Sequence, residues 1–328
     1  MGSVRVETDS GTVRYLECKK LRLLGDDELA RLRARHVKSL FRRKKLCMVL
    51  DLDHTLLHSA SEGEQRVPNP ADDIFPLVPR IVTKLRPSVR EFLKEASTMF
   101  EMYIYTMGSS EYAAAAAKLL DPTGEYFDTR IISRDDVDVV TGLKSLDFVL
   151  AQDRSVVILD DTEAVWSRHK DNLVVIERYT YFGSGQRGVS GGDDILTTVL
   201  RALKRVHCKF FNHGDPGDDK DVRRVLKLER CRILEGCKIA FSGVFPLDFK
   251  SETHGLWRMA EGLGAQCVKV VDPSVTHVVA ANSETQKAWW ARYENKFLVN
   301  WKWIEAANFQ WKRLPEKNFP VYPPKYPT

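Results

Sequence analysis

Asp51, Asp53 and Thr55 stand at alternate positions directly after the apolar run Leu46-Cys47-Met48-Val49-Leu50. A run of that length reads as a buried strand, and acids at its carboxyl end lie where a parallel sheet delivers chemistry. Paired carboxylates at such a place suit nucleophilic attack, proton transfer or the binding of a hard cation. Asp and Thr are also common in strand-to-helix turns, so the pattern gains meaning only with partners from elsewhere in the chain.

Three later segments supply them. Met99-Phe100-Glu101-Met102-Tyr103-Ile104-Tyr105-Thr106 is a second strand-like run that ends in a hydroxyl. Gly142-Leu143-Lys144-Ser145-Leu146-Asp147 offers a lysine at an expected helix start, and Ser155-Val156-Val157-Ile158-Leu159-Asp160-Asp161 closes another apolar strand on paired acids. This ordered series of Asp-x-Asp-x-Thr, strand-Thr, Lys and strand-Asp-Asp resembles the haloacid dehalogenase superfamily of phosphotransferases. The wording of residues 51–59, 84–93 and 158–166 narrows the resemblance to phosphatases that act on the carboxyl-terminal repeat domain of RNA polymerase II, of the TFIIF-associating type that includes plant members. It covers about residues 40 to 185.

The resemblance implies a role for each matching residue. Asp51 would be the nucleophile that forms an aspartyl-phosphate. Asp53 would protonate the departing serine oxygen and later activate water. The Asp51 side chain, the Asp53 backbone carbonyl and the Asp161 side chain would hold Mg²⁺, while Thr106 and Lys144 would bind the phosphoryl oxygens. Asp160 and Thr55 would support the metal shell and the loop. The implied substrate is the phosphorylated polymerase tail, with transcription factor TFIIF as a candidate partner and the nucleus as location. Two other readings use the same residues: a protein phosphatase of broader specificity, and a phosphopeptide-binding adaptor with a vestigial phosphatase fold. The intact set of Asp51, Asp53, Lys144 and Asp161 argues against the adaptor.

The elements that must position these residues follow from pattern. Strands alternating with helices, among them Ser88 to Ser97 and the alanine-rich Ser109 to Leu120, argue for an α/β fold with a Rossmannoid parallel sheet covered on both faces. Phe127 to Ser133 and Leu173 to Tyr181 read as further strands, and Ile195 to Lys209 as a helix. Residues 57 to 86, with Pro68, Pro70, Pro76 and Pro79, read as a small β insertion. The stretch between Thr106 and Lys144 leaves no room for a large cap, and an uncapped site suits a phosphoserine on an extended protein segment. The glycines between Gly183 and Gly192 fit no phosphate-loop pattern and read as a solvent loop. His54 and His58 lack further zinc ligands and read as structural, while Arg86 and Arg178 could line a peptide groove or form ion pairs.

With 328 residues, 43% hydrophobic and 29% charged, the chain is an ordinary globular protein with room for two domains. No stretch reaches membrane-spanning length, and neither membrane nor direct nucleic-acid binding is expected. The six cysteines show no paired or metal-ligand spacing. Net charge is +5, but residues 1 to 45 hold 13 Lys/Arg against 6 Asp/Glu, so the remainder is slightly acidic. The expected organisation is a basic helical arm over 1–40, a phosphatase domain over 41–210, a linker over 211–233, and a smaller α/β domain over 234–322.

That last region resembles a BRCT domain. Cys237 to Gly243 reads as strand and turn, Leu256 to Ala265 as a helix ending at Gly264, Val275 to Ala280 as a strand, and Trp301-Lys302-Trp303-Ile304 as the entry to a terminal helix anchored by Trp303. In phosphopeptide-binding relatives a hydroxyl, the next backbone amide and a helix lysine hold phosphate. Ser242, Gly243 and Lys287 fall at the matching places, with Thr285 beside the lysine. A single copy suits simple scaffolding as well.

Overall fold

The computed structural model describes residues 3–7, 13–17, 21, 24–61, 73–137, 142–182, 194–212, 220–246 and 248–323. The expected glycine-rich loop over 183–192 lies outside them, as does Cys18. The chain forms two compact units, Met1–Arg223 and Arg224–Thr328.

The first unit opens with two antiparallel strands, β1 (Ser3–Glu7) and β2 (Val13–Glu17), where a helical arm was expected. The cause is local: Val4, Val6, Val13 and Tyr15 alternate with polar residues at the strand period. The helix itself is α1 (Asp26–Arg42), with Asp26, Asp27 and Glu28 in its first turn and Arg42 in its last, as the helix dipole favours. Val37 and Leu40 are its buried side chains.

β3 (Leu46–Leu50) follows, buried at every position. The insertion is a three-stranded antiparallel sheet of β4 (Leu57–Ser61), β5 (Ile74–Val78) and β6 (Ile81–Leu85), in the order β4-β6-β5. Then come α2 (Val89–Met99), β7 (Phe100–Tyr105), α3 (Ser110–Leu120), β8 (Ile131–Ile132), β9 (Val156–Asp160), β10 (Leu173–Val175) and α4 (Ile195–Asn212). The main sheet is parallel with order β10-β9-β3-β7-β8, so its first strand sits at the centre and the chain builds outward through β7 and β8 on one side before crossing back to β9 and β10 on the other. Such a reversal opens a crevice beyond the carboxyl ends of the central strands. All three central strands end there in reactive side chains.

Two strands are shorter than the sequence suggests. In the Phe127–Ser133 stretch only Ile131 and Ile132 pair, because the Asp121 carboxylate accepts the amides of Glu125, Tyr126 and Phe127 and holds the approach as a turn. The Leu173–Tyr181 stretch leaves the sheet after Val175 because β9 ends at Asp160; its later amides turn instead to the loop after β3.

The expected linker over 211–233 contains a helix, α5 (Val222–Arg230), with Val222 and Leu226 buried. The second unit continues with β11 (Lys238–Ser242), α6 (Gly255–Gly262), β12 (Gln266–Val268), β13 (His277–Ala280), α7 (Gln286–Tyr293), β14 (Phe297–Val299) and α8 (Lys302–Gln310). Its four strands are parallel in the order β12-β11-β13-β14. Gly264 adopts φ 96°, and a Cβ there would come within 1.7 Å of the Cys231 carbonyl oxygen, so the turn after α6 requires glycine. Trp303 is fully buried, donates its indole N–H to the Leu314 carbonyl, and stacks on His277. Among the described residues no helix is long and apolar enough to cross a membrane.

Candidate active site

Burying a carboxylate without a partner costs several kcal/mol, roughly as much as a large apolar side chain gains by burial. The acids therefore stand at the ends of β3 and β9, where one ammonium reaches them. Lys144 Nζ donates to Asp51 Oδ1 and to Asp160 Oδ2, each at 2.6 Å, with the lysine side chain only 3% exposed. Burial alone would lower the lysine, but the two carboxylates outweigh it and hold its pKa well above the ordinary value. Burial pushes the Asp51 carboxyl up, to about 7; Lys144 opposes the rise, while Asp160 and Asp53 add to it.

Lys144 begins no α-helix. It lies in extended chain ahead of a single 3-10 turn, Leu146–Phe148, because Ser145 Oγ accepts the Asp147 amide and closes the chain too tightly for an α-turn. Its own amide donates to the Val165 carbonyl. Arg33, from α1, donates to the carbonyls of Leu146 and Asp147 and pins this turn from the other side.

Asp160 is engaged on both oxygens. Besides Lys144, its Oδ2 accepts the Trp166 indole N–H at 2.8 Å, and its Oδ1 accepts the Thr162 amide. It braces the centre while keeping one acceptor position on Oδ1. Asp161 carries an ion pair with Arg178 at 2.8 Å and accepts the Thr162 hydroxyl; burial and the Asp160 charge raise its pKa. That contact assigns the Arg178 guanidinium to the acidic cluster. Thr55, fully buried, accepts the Asp161 amide and so ties the loop after β3 to the end of β9.

Asp53 points to the other side. Its Oδ1 accepts the Tyr112 hydroxyl at 2.5 Å and its Oδ2 the Thr106 hydroxyl at 3.4 Å. Tyr112 also meets Ser59 Oγ, which meets Thr83, so a chain of hydroxyls runs from the inserted sheet to this carboxylate. Burial and the Asp53 charge keep the Tyr112 phenol protonated. Thr106 in addition accepts the Gly108 amide, which orients its hydroxyl.

The loop between Asp51 and β4 is held by the segment after β10. His54, at φ 64°, donates its Nδ1–H to the Tyr179 carbonyl, while the Tyr179 amide donates to the His54 carbonyl. His58 Nδ1 accepts the amides of Tyr181 and Phe182, and burial first, then the His54 and Arg178 charges, pulls its pKa down to about 4. Buried Arg86 donates to the carbonyls of Thr55 and Glu177. Both histidines and Arg86 are thus structural braces.

Asp51, Asp53, Thr106, Lys144, Asp160 and Asp161, drawn from four separate stretches, meet at one end of the sheet. Carboxylate oxygens of Asp51, Asp160 and Asp161 lie within 4.8 Å of one another. Four aspartates against Lys144 and Arg178 leave two uncompensated negative charges. An all-oxygen donor set with that charge fits a hard divalent cation. Tyr112, Trp166 and Arg33 escaped the sequence analysis. Tyr112 had a signal, a tyrosine in the first turn of an alanine-rich helix, but Trp166 and Arg33 had none.

Residues 46–212 match the family model of NLI interacting factor-like phosphatases. The chain belongs to this family. Residues 229–307 match the BRCT domain model. Two Arabidopsis thaliana relatives of this phosphatase are RNA polymerase II C-terminal domain phosphatase-like 4, 47% identical over 96% of this chain and 78% of that protein, and phosphatase-like 3, 38% identical over 87% and 26%. The solved structure of the fission yeast RNA polymerase II CTD phosphatase Fcp1 bound to beryllium fluoride superposes with a TM-score of 0.70 at 26% identity, covering 89% of this chain and all of that one. The fold of this phosphatase family implies a divalent metal.

In the BRCT unit Ser242 is buried at the end of β11, Gly243 has φ 66°, and a Cβ there would press on Thr285. Thr285 caps α7 by accepting the Ala288 amide. Lys287 Nζ is committed to the carbonyls of Phe241 and Lys269, and burial lowers its pKa. The four residues do come together, but the lysine braces backbone in this structure and must exchange those bonds before it can hold a phosphate.

Replacing Tyr112 by Phe keeps the ring and removes one hydrogen bond to Asp53. A buried bond to a charged acceptor is worth about 1.5–3 kcal/mol, so Tm should fall by roughly several degrees, and kcat on a small aryl phosphate should fall by about ten-fold or more at temperatures where the protein stays folded. Wild-type kcat in a folded Tyr112→Phe protein would show that Asp53 needs no such support.

Proposed function

We propose that the protein is a Mg²⁺-dependent serine phosphatase that works in the nucleus on the phosphorylated repeat domain of RNA polymerase II. The observation that carries the reading is the buried Lys144 bridging Asp51 and Asp160, with Asp53 held apart by Tyr112 and Thr106. Support for the substrate comes from relatives named as polymerase C-terminal domain phosphatases.

In the first half-reaction an Asp51 oxygen bonds to phosphorus as the bond to the serine oxygen breaks. Asp53, protonated, gives its proton to that leaving oxygen, and serine departs neutral. In the second half, Asp53 removes a proton from water, the water oxygen bonds to phosphorus, and the bond to Asp51 breaks to release inorganic phosphate. Splitting one hard displacement into two gives the enzyme a charged, positioned nucleophile in place of free water. Lys144 compensates anionic charge beside the attacking oxygen, and Thr106 is placed to donate to a phosphoryl oxygen once it releases Asp53. Asp51, the Asp53 carbonyl and Asp161 would hold Mg²⁺, which would neutralise part of the phosphoryl charge.

The BRCT unit is proposed to dock the substrate, with Ser242, Gly243, Thr285 and Lys287 as its candidate phosphate pocket and TFIIF as a candidate partner. The proposed boundaries are a phosphatase domain over 41–210 and a BRCT domain over 234–322. The test is release of phosphate from serine-phosphorylated repeat peptides by the full chain with Mg²⁺, with chelator, and after adding Mg²⁺ back. The expected result is turnover that chelator stops and Mg²⁺ restores. Equal rates with and without chelator would overturn the metal assignment, and no release from any repeat peptide would overturn the substrate.

A further inference from the structure

From Arg31 to Lys45 the chain carries eight Lys/Arg and no Asp/Glu. The structure sorts them by face. At 100° per residue, Arg31, Arg35, Lys38 and Arg42 fall within about 60° of one another on α1, and all four are exposed. The opposite face is fixed to the phosphatase unit: Val37 and Leu40 are buried, His36 bonds Glu101 at 2.7 Å, and Arg33 holds the carbonyls of Leu146 and Asp147. The helix therefore cannot roll, and its basic line is presented outward beside the turn that follows Lys144. α1 precedes the residues that match the phosphatase family model, so this line is not part of the matched catalytic domain.

We propose that this outward face of α1 is a docking strip for an extended, multiply phosphorylated segment of the protein substrate, held by its phosphates while another phosphoserine is turned over at Asp51. The proposal rests on the substrate reading above and adds where neighbouring phosphates bind. From Arg31 to Arg42 the strip rises about 16 Å, the length of about five residues of extended chain. Each phosphate brings a charge of about −1.5 to −2 and three strong acceptors, which is the complement of a line of guanidinium and ammonium groups. Single-stranded nucleic acid would also be attracted, but it gains from aromatic stacking, and Arg31, Ala34, Arg35, Lys38 and Arg42 offer no ring. The face thus favours a phosphopeptide.

The experiment compares the full chain with the triple variant Arg31→Gln, Lys38→Gln, Arg42→Gln, and with the matching glutamate triple. Three substrates are used: a small aryl phosphate, a repeat peptide with one phosphate, and a multi-repeat peptide with several. The glutamine triple should raise KM for the multi-repeat peptide by about ten-fold and flatten its salt dependence, since exposed pairs each contribute a little and are screened within about 8 Å at physiological salt. kcat/KM for the other two should stay within about two-fold of wild type, and the glutamate triple should widen the contrast. Unchanged KM for the multi-repeat peptide overturns the strip. So does an equal loss on all three substrates, which would make α1 merely structural, and so does a loss confined to binding of single-stranded RNA. Anisotropy of a labelled multi-repeat phosphopeptide reads docking without turnover. If the wild-type protein hydrolyses none of the peptides, the substrate reading fails, while this binding comparison still decides the strip.

Discussion

Asp51→Asn is expected to lower kcat on aryl phosphate and phosphopeptide alike by at least about a thousand-fold, because in the proposed mechanism it removes the attacking oxygen. The substitution keeps nearly the same volume and leaves one side-chain oxygen toward Lys144, now as a neutral acceptor 2.6 Å away in the parent geometry. It also lifts part of the penalty of a buried charge, so Tm should change little or rise. The two measurements separate chemistry from folding. Acid-quenched wild-type enzyme should carry phosphate on Asp51, and the Asn variant none. Turnover near the wild-type rate by a cooperatively melting Asp51→Asn protein would sink the covalent mechanism.

Lys144→Met should damage both function and stability. The ammonium is the shared partner of Asp51 and Asp160, and both are buried. Removing it leaves two facing carboxylates, an arrangement that costs about 3–5 kcal/mol when one member of a buried pair is lost. Activity should fall by about a hundred-fold or more, since the phosphoryl group then meets uncompensated negative charge. The pH dependence has a definite sign. Without Lys144 the folded-state pKa of Asp51 rises further above its unfolded value, so the folded protein binds the extra proton. The deficit relative to wild type should therefore be smallest at low pH, where Asp51 is protonated in both folded proteins, and grow as pH rises through about 7, where only the wild type releases that proton. Melting of both proteins between about pH 5 and 8 checks this, and a deficit that shrinks with rising pH would contradict the assigned network.

The sequence by itself determined the class of fold and the order in which the candidate site residues follow one another. β3 and β9 are apolar runs that stop at Asp51 and Asp160, β7 is interrupted only by Glu101 before it stops at Thr106, and such runs have a buried parallel sheet as their natural place. The helices at α2, α3 and α4 were legible from composition, as the alanine run of α3 illustrates. In the second unit Gly264 and Trp303 marked a turn and a core position that packing then required. These features are local, and local chemistry specifies them.

Tertiary structure alone decided the rest. No spacing joins Lys144 to Asp51, Tyr112 to Asp53, or Arg33 to the turn at Leu146, because each pair is separated by a crossover whose length says nothing about contact. The strand expected through Tyr181 ended at Val175 because its neighbour ended, and the freed amides went to His54 and His58. Lys287 turned inward to two carbonyls that the sequence could not show beside it. Side-chain partners across a sheet are chosen by burial: a polar group withdrawn from water must take the donor or acceptor that the fold places within reach, and only the folded chain says which one that is.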